Sequence, residues 1–409
     1  MGELITLKAE PGKLKGDVSI ELPGSKSIHN RLLIIQNLSC GKVKIKGESS
    51  SEDTKYLRLA LDSAFNEMWM GEGGTALRFG LAWAAITPGE RILDGSKRLR
   101  ERPIVQLVEA LRELGAEINS VHSDNRLPFL VKGRRIEGGK VGIADNISSQ
   151  FISALLMIGP YTEKGITISL PHDQVSMPYI RMTLELMKRA GARVSQTESE
   201  IFVHPGGYRP SILEVERDWS SASYFFEWAL LNPGLRINLP GLTLDSEQGD
   251  SQIVNLFQKL GVKATEDKGG LYIYRSPGQD VPEFNFLEIP DMAQSIALAA
   301  AGLGKKIKLT GLQTLKVKET DRISALKSEL FKVGVECSET DTSLEISGFK
   351  EAHSGVLIET FRDHRMAMAF APLVSVLGEI HIQDPEVVGK SFPDYWKQVE
   401  KLGVEILKT

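Results

Sequence analysis

The strongest constraint on this chain is an interval. Apolar helical runs recur, each opened by a polar or glycine residue and followed by a Gly or Pro break and a short strand. Taking Thr75, Ser149, Ser221, Ala293 and Arg365 as equivalent starts, the spacing from 75 to 149 is 74 residues, and those from 149 to 221, 221 to 293 and 293 to 365 are each 72. Equal long intervals mark one supersecondary unit used repeatedly. Ser27 opens a sixth run, Ile28–Leu38, but lies only 48 residues before Thr75, so the first unit is short by about 24. The remaining runs are Ala76–Ile86, Phe151–Ile158, Tyr224–Leu231, Ser295–Ala301 and Met366–Leu377. A second helix accompanies each. It ends in Leu114-Gly115-Ala116, Ala190-Gly191-Ala192, Leu260-Gly261-Val262, Val333-Gly334-Val335 and Leu402-Gly403-Val404, with glycine where a helix closes in the left-handed conformation. The counterpart in the first unit, Tyr56–Phe65, lacks that glycine.

The pattern predicts an α/β (α+β) chain of six related units. The first-helix runs are apolar nearly all round, so they are expected inside, covered by strands. Six units exceed one core in a chain of 409 residues. Two domains of three units are therefore expected, 23–215 in one and 1–22 with 216–409 in the other.

Composition excludes several classes. A net charge of −4 argues against a nucleic-acid surface, and there is no run of 18 apolar residues for a membrane span. Cys40 and Cys337 are the only cysteines and the seven histidines are scattered, so neither a disulfide framework nor a metal site is expected, and a cytoplasmic location fits. The start Met1-Gly2-Glu3 fits a loose myristoylation pattern that the acidic third residue makes a chance match.

Chemistry gathers where the buried helices begin. Ser25-Lys26-Ser27 and Arg31, Gly73-Gly74-Thr75 and Arg78, Ser148-Ser149-Gln150, Asp291, and Asp363-His364-Arg365 all sit there, while Ser220-Ser221 reads as plain capping. Ser27 is the expected N-cap, with Lys26 just outside the helix. Helix N-termini already favour anions, so cations stationed there destabilise the helix unless a ligand neutralises them. An anion-binding site is the result. Arg98 to Arg102 adds a basic loop, with Arg102 at a helix start beside Pro103; the mixed charges of Lys318 to Arg322 fit plain capping by Thr320 or Asp321, and they also make Glu319, flanked by Lys318 and Arg322, a carboxylate with a tunable pKa of the kind general acid–base work needs. Gly71 to Ala76 imitates a G-x-G-x-x-A dinucleotide fingerprint, but the strand before it is very short and the repeat accounts for the same glycines.

These residues closely resemble the 5-enolpyruvylshikimate-3-phosphate synthase (3-phosphoshikimate 1-carboxyvinyltransferase) family over nearly the whole chain. The resemblance rests on Leu22 to Ser27 with Asn30-Arg31, Gly74 to Arg78, Glu101 to Ile104, Ser148 to Phe151, Val175-Ser176 with Pro178-Tyr179, Ile289 to Asp291, Val317 to Arg322, Asp363 to Met368 and Lys390 to Tyr395. It implies two domains of three βαβαββ units with the active site in the cleft between them. The implied reaction moves the enolpyruvyl group of phosphoenolpyruvate to the 5-hydroxyl of shikimate 3-phosphate, through a tetrahedral intermediate, with release of phosphate. By resemblance, Lys26, Ser27, Arg31, Ser148, Ser149, Gln150, Ser176, Tyr179, Asp291 and Lys318 hold shikimate 3-phosphate. Lys26, Gly74, Arg102, Gln150, Arg322, Arg365 and Lys390 hold phosphoenolpyruvate. Asp291 is the implied base at the 5-hydroxyl, Glu319 the proton donor and acceptor at the methylene carbon, and Lys26 assists at the phosphate. No cofactor is implied, and a monomer is expected. Glu72 and Thr314 stand where the family usually has Asn. The related transferase acting on UDP-N-acetylglucosamine is the nearest alternative, but its active-site loop carries Cys where this chain has Arg98 to Arg102. A dinucleotide-dependent oxidoreductase and a non-catalytic scaffold are the other classes considered.

Overall fold

The computed structural model describes residues 3–62, 66–122, 125–142, 148–170 and 175–408. The myristoylation-like start and the end of the expected helix at 56–65 lie outside these. The chain forms two compact units, 24–215 and a discontinuous one of 1–23 with 216–409. Each has its own hydrophobic core.

In the unit 24–215 the helices Lys26–Leu38, Gly74–Ile86 and Ser149–Ile158 pack on one another. In the other unit Trp219–Leu231, Ala293–Gly302 and His364–Phe370 do the same. These are the interior helices. In Gly74–Ile86 every residue except Thr75 is buried, which the all-round apolar sequence requires. Large side chains such as Phe79, Leu81 and Trp83 each contribute about 1.5–3 kcal/mol when removed from water.

Sheets cover these helices. Five described sheets have four strands in one common order, the first pair parallel and the rest antiparallel. One example runs Gly139–Gly142, Ile166–Ser169, Glu200–Val203, Val194–Gln196, with fully buried Ile168 opposite Ile201 on the inward face. The sixth has only two parallel strands, Val43–Lys46, which follows the helix Lys26–Leu38, and Ser211–Glu214.

Strand pairing makes one unit discontinuous. Leu4–Lys8 lies between Glu379–Gln383 and Glu405–Lys408, and Lys15–Ser19 pairs in parallel with Gly234–Leu239. The N-terminal segment is thus tied to the C-terminal half. At its end Asp218 N–H donates to Pro23 O (3.0 Å) and Arg217 Nη1 to Leu22 O (2.8 Å).

Helix starts differ from the sequence expectation by up to five residues, for identifiable reasons. Ser25, not Ser27, caps the first helix, its Oγ accepting from Ile28 N–H at 3.4 Å, so Lys26 is the first helical residue. Gly73, Ser148, Asp218 and Asp363 cap helices whose apolar runs begin one or more residues later. The run 366–377 is broken: Pro372 has no N–H to donate, and the helix stops at Phe370, passes through a tight turn at Ala371–Leu373 and resumes at Val374–Leu377. The second helix of the first unit is Glu52–Ala60, capped by Ser51, four residues earlier than the apolar pattern indicates. The expected closing glycines take positive φ, and at Gly334 (φ 92°) an added Cβ would lie 1.6 Å from Glu351 O, leaving room for nothing else.

Candidate active site

The implicated residues fall into two groups, one in each unit. In the unit 24–215, Lys26 Nζ lies 3.0 Å from Asp53 Oδ2. Asp53 is buried in the first turn of Glu52–Ala60, where the helix dipole favours a carboxylate. Ser27 is half-buried and its carbonyl accepts from Arg31 Nη1 at 2.8 Å.

Arg31 is buried rather than open to solvent. Its Nε donates to Thr183 Oγ1 (2.6 Å) and its Nη2 to Ser153 Oγ (3.2 Å), and its guanidinium lies over the Phe79 ring at 5.2 Å. Burial pulls its pKa down to about 9. It therefore braces the interior helices, reaching the one that begins at Ser149 and, through Tyr179 O (3.4 Å), the one that follows Ser176. Ser176 sits at φ +60° as N-cap of Met177–Arg189, a conformation costing about 1 kcal/mol or more in a non-glycine residue. Ser148 caps the third interior helix, its Oγ accepting from Gln150 N–H at 3.3 Å, and Ser149 is nearly buried beside it.

Gly74 begins the second interior helix under two arginines. A Cβ there would lie 2.3 Å from Arg78 Nη1 and 2.7 Å from Arg102 Nη1. Arg78 donates to Pro103 O (2.7 Å) and lies over the Phe151 ring at 5.1 Å. Arg102 is buried at the C-terminal end of the short helix Lys97–Glu101, not at a helix start; Ile104 opens the next helix. Arg98 and Arg100 are spent on surface pairs with Glu101 and Asp94.

The second group is a closed ionic network. Asp291, in the turn before Ala293–Gly302, faces Lys318 Nζ (3.1 Å), Arg322 Nη1 (2.8 Å) and Arg365 Nη2 (3.5 Å). Glu319 faces Arg322 Nη2 (2.8 Å) and Lys390 Nζ (3.8 Å). Asp363, fully buried, takes Arg322 Nε at 2.7 Å and Nη2 at 3.3 Å, and also caps its own helix by accepting from Arg365 N–H at 2.9 Å. Burial acts to raise the Asp291 carboxyl, but Lys318, Arg365 and Arg322 outweigh it and hold that group well below the usual carboxylate range. Burial likewise pulls Lys318 down, with Asp291 opposing. Burial opposes the charge on Arg322, yet Asp363, Glu319 and Asp291 more than offset this and keep it firmly cationic. Two carboxylates, each held against cations that a ligand's anionic groups could engage, can serve proton transfer during addition and elimination.

Sequence reasoning passed over several participants. Asp53 lay in a stretch with no distinguishing pattern. Thr183 and Ser153 are interior hydroxyls that only packing brings to Arg31. Ser220, read as a cap, instead faces Arg365 Nη2 at 3.3 Å, while Asp218 caps that helix. Thr314 Oγ1 is buried without a hydrogen-bond partner where the family usually has Asn.

Comparison with known proteins identifies the family. The model of the family EPSP synthase (3-phosphoshikimate 1-carboxyvinyltransferase) matches residues 60–399. The 3-phosphoshikimate 1-carboxyvinyltransferase of Bacteroides fragilis is 41% identical over 405 residues, covering 98% of each chain. That of Vibrio atlanticus is 34% identical over 422 residues, covering 96% of this chain and 98% of the other. Among solved structures, EPSP synthase from Acinetobacter baumannii superposes with a TM-score of 0.78 at 21% identity, covering 99% of this chain and all of that one. The enolpyruvyl transferase NikO from Streptomyces tendae gives 0.74 at 16% identity, covering 100% and 99%. Those two establish the shared fold, while the family match and the full-length relatives go further: the chain belongs to the EPSP synthase (3-phosphoshikimate 1-carboxyvinyltransferase) family.

Proposed function

We propose that this chain transfers the enolpyruvyl group of phosphoenolpyruvate to the 5-hydroxyl of shikimate 3-phosphate, releasing phosphate, without a cofactor and as a cytoplasmic monomer. The observation that carries the reading is the network in which Asp291 and Glu319 share Arg322 and face Lys318, Arg365 and Lys390. Asp291 accepts the 5-hydroxyl proton as that oxygen bonds to C2 of phosphoenolpyruvate. Glu319 delivers a proton to C3, giving the tetrahedral intermediate. Glu319 then removes a proton from C3 as the C2–O bond to phosphate breaks, assisted by Lys26. The proton that Asp291 took from the 5-hydroxyl leaves with the phosphate, and Glu319 regains the one it gave, so both carboxylates return to their starting states.

Among its cations alone Asp291 is too acidic to be an effective base, since a base works best with a pKa near the working pH. Anionic groups arriving at Lys318 and Arg365 would offset that field and raise its basicity where the hydroxyl arrives. On this reading Ser27, Arg31, Ser148, Ser149, Gln150, Ser176, Tyr179 and Lys318 serve shikimate 3-phosphate. Gly74, Arg102, Gln150, Arg322, Arg365 and Lys390 serve phosphoenolpyruvate. Arg31 contributes mainly by fixing its neighbours, since most of its donors are taken within the fold.

The test is phosphate release by the purified protein. Release is expected only when phosphoenolpyruvate and shikimate 3-phosphate are both present; absence of release with both at saturating concentration refutes the reading.

A further inference from the structure

Arg365 is held from behind. Ser220 and Tyr224 stand one turn apart on the same face of the interior helix Trp219–Leu231. Arg365 Nη1 donates to the Tyr224 hydroxyl and Nη2 to Ser220 Oγ, each at 3.3 Å. The Ser220 hydroxyl donates its own proton to Asp250, itself buried, so its lone pairs remain for the guanidinium. Tyr224 is buried, with its ring edge-on to Tyr395 at 6.1 Å, so the phenol cannot swing away. Burial also raises its pKa, so it acts as a neutral acceptor and not as a counter-ion.

These two acceptors oppose the pull of Asp291. Its Oδ2 already lies 3.5 Å from Arg365 Nη2, and opposite charges attract strongly at that separation in a partly desolvated site. A guanidinium collapsed onto Asp291 would be turned away from an incoming anion.

We propose that Tyr224, together with Ser220 and Asp250, positions Arg365 for phosphoenolpyruvate by holding its guanidinium off Asp291. This rests on the assignment of Arg365 made above. The hydroxyls supply orientation and not charge, so their loss acts on capture of that one substrate. Tyr224→Phe removes a single oxygen and keeps the ring packing. With shikimate 3-phosphate saturating, it should raise KM for phosphoenolpyruvate about fivefold or more, leave kcat within about threefold, and leave KM for shikimate 3-phosphate within about twofold.

Ser220→Ala should give the same split, and carries the test alone if Tyr224→Phe melts earlier than wild type. Tyr208→Phe, which removes a buried hydroxyl bonded to Met157 O (2.7 Å) in the other unit, should lower the melting temperature without the split. An unchanged KM for phosphoenolpyruvate in both variants, or an equal rise in both KM values, overturns the proposal while leaving the activity standing. A wild-type protein inactive with both substrates overturns the two together.

Discussion

Replacing Asp363 by Ala tests whether the ionic network holds its unit together as well as serving the site. The Asp363 carboxylate is fully buried and makes two bonds to Arg322, itself only 1% exposed, and one to the Arg365 N–H at the start of its helix. Breaking a buried ion pair by deleting one partner costs about 3–5 kcal/mol. The low end applies here because Arg322 keeps Asp291 and Glu319. Loss of the helix cap adds about 1 kcal/mol. Asp363→Ala should therefore destabilise the unit by about 4 kcal/mol, a large share of the roughly 5–15 kcal/mol that holds a domain folded. Asp363→Asn retains an oxygen for the Arg365 N–H and one bond to Arg322, and should cost about 2 kcal/mol, since a hydrogen bond to a charged group contributes roughly that much. Urea titration followed by tryptophan fluorescence reads the effect, because Trp219 and Trp228 are both buried in this unit. If Asp363→Ala lies within about 1 kcal/mol of wild type, Arg322 is not held as described and the ionic argument fails.

Two further changes probe the other unit. Gly74→Ala places a methyl against Arg78 and Arg102, so KM for phosphoenolpyruvate should rise several-fold more than KM for shikimate 3-phosphate; steady-state kinetics showing equal effects would count against Arg102 as a phosphoenolpyruvate ligand. His29 is pushed down to about 4, first by burial and then by Arg58, and its Nδ1 accepts from Ser49 N–H at 2.8 Å. A folded-state pKa below the unfolded value near 6.5 means its contribution is present above pH 6.5 and is lost as pH falls toward 4, about 3 kcal/mol in all. His29→Asn, which keeps an acceptor but does not titrate, should flatten the fall of melting temperature between pH 6.5 and 4; parallel curves would refute this.

The interior helices were legible because their sequences leave no polar face. Runs such as Ala76–Ile86 can only be enclosed, and the glycines at 115, 191 and 334 needed left-handed backbone that other residues resist. Cap positions were read less well. Ser, Asp and Gly compete for a helix start, and which one accepts from the first N–H groups depends on the strand entering it, so Ser25 displaced Ser27 and Asp218 displaced Ser221. Pro372 interrupts an apolar run whose periodicity alone predicts one helix, because it has no N–H to donate.

Charged residues divided along another line. Sequence alone determined the α/β class, the repeat interval with its short first unit, and the cations and carboxylates gathered at helix starts, because these follow from periodicity and residue chemistry within a few turns of chain. Tertiary structure alone decided which of those charges meet. Asp291, Glu319 and Asp363 converge on Arg322 from segments 28 to 72 residues apart, Arg31 is consumed by Thr183 and Ser153, and Ser220 turns out to face Arg365. The sequence pattern places a residue on a face of its own helix, but a pairing energy exists only between groups that packing has brought within a few ångströms and out of water.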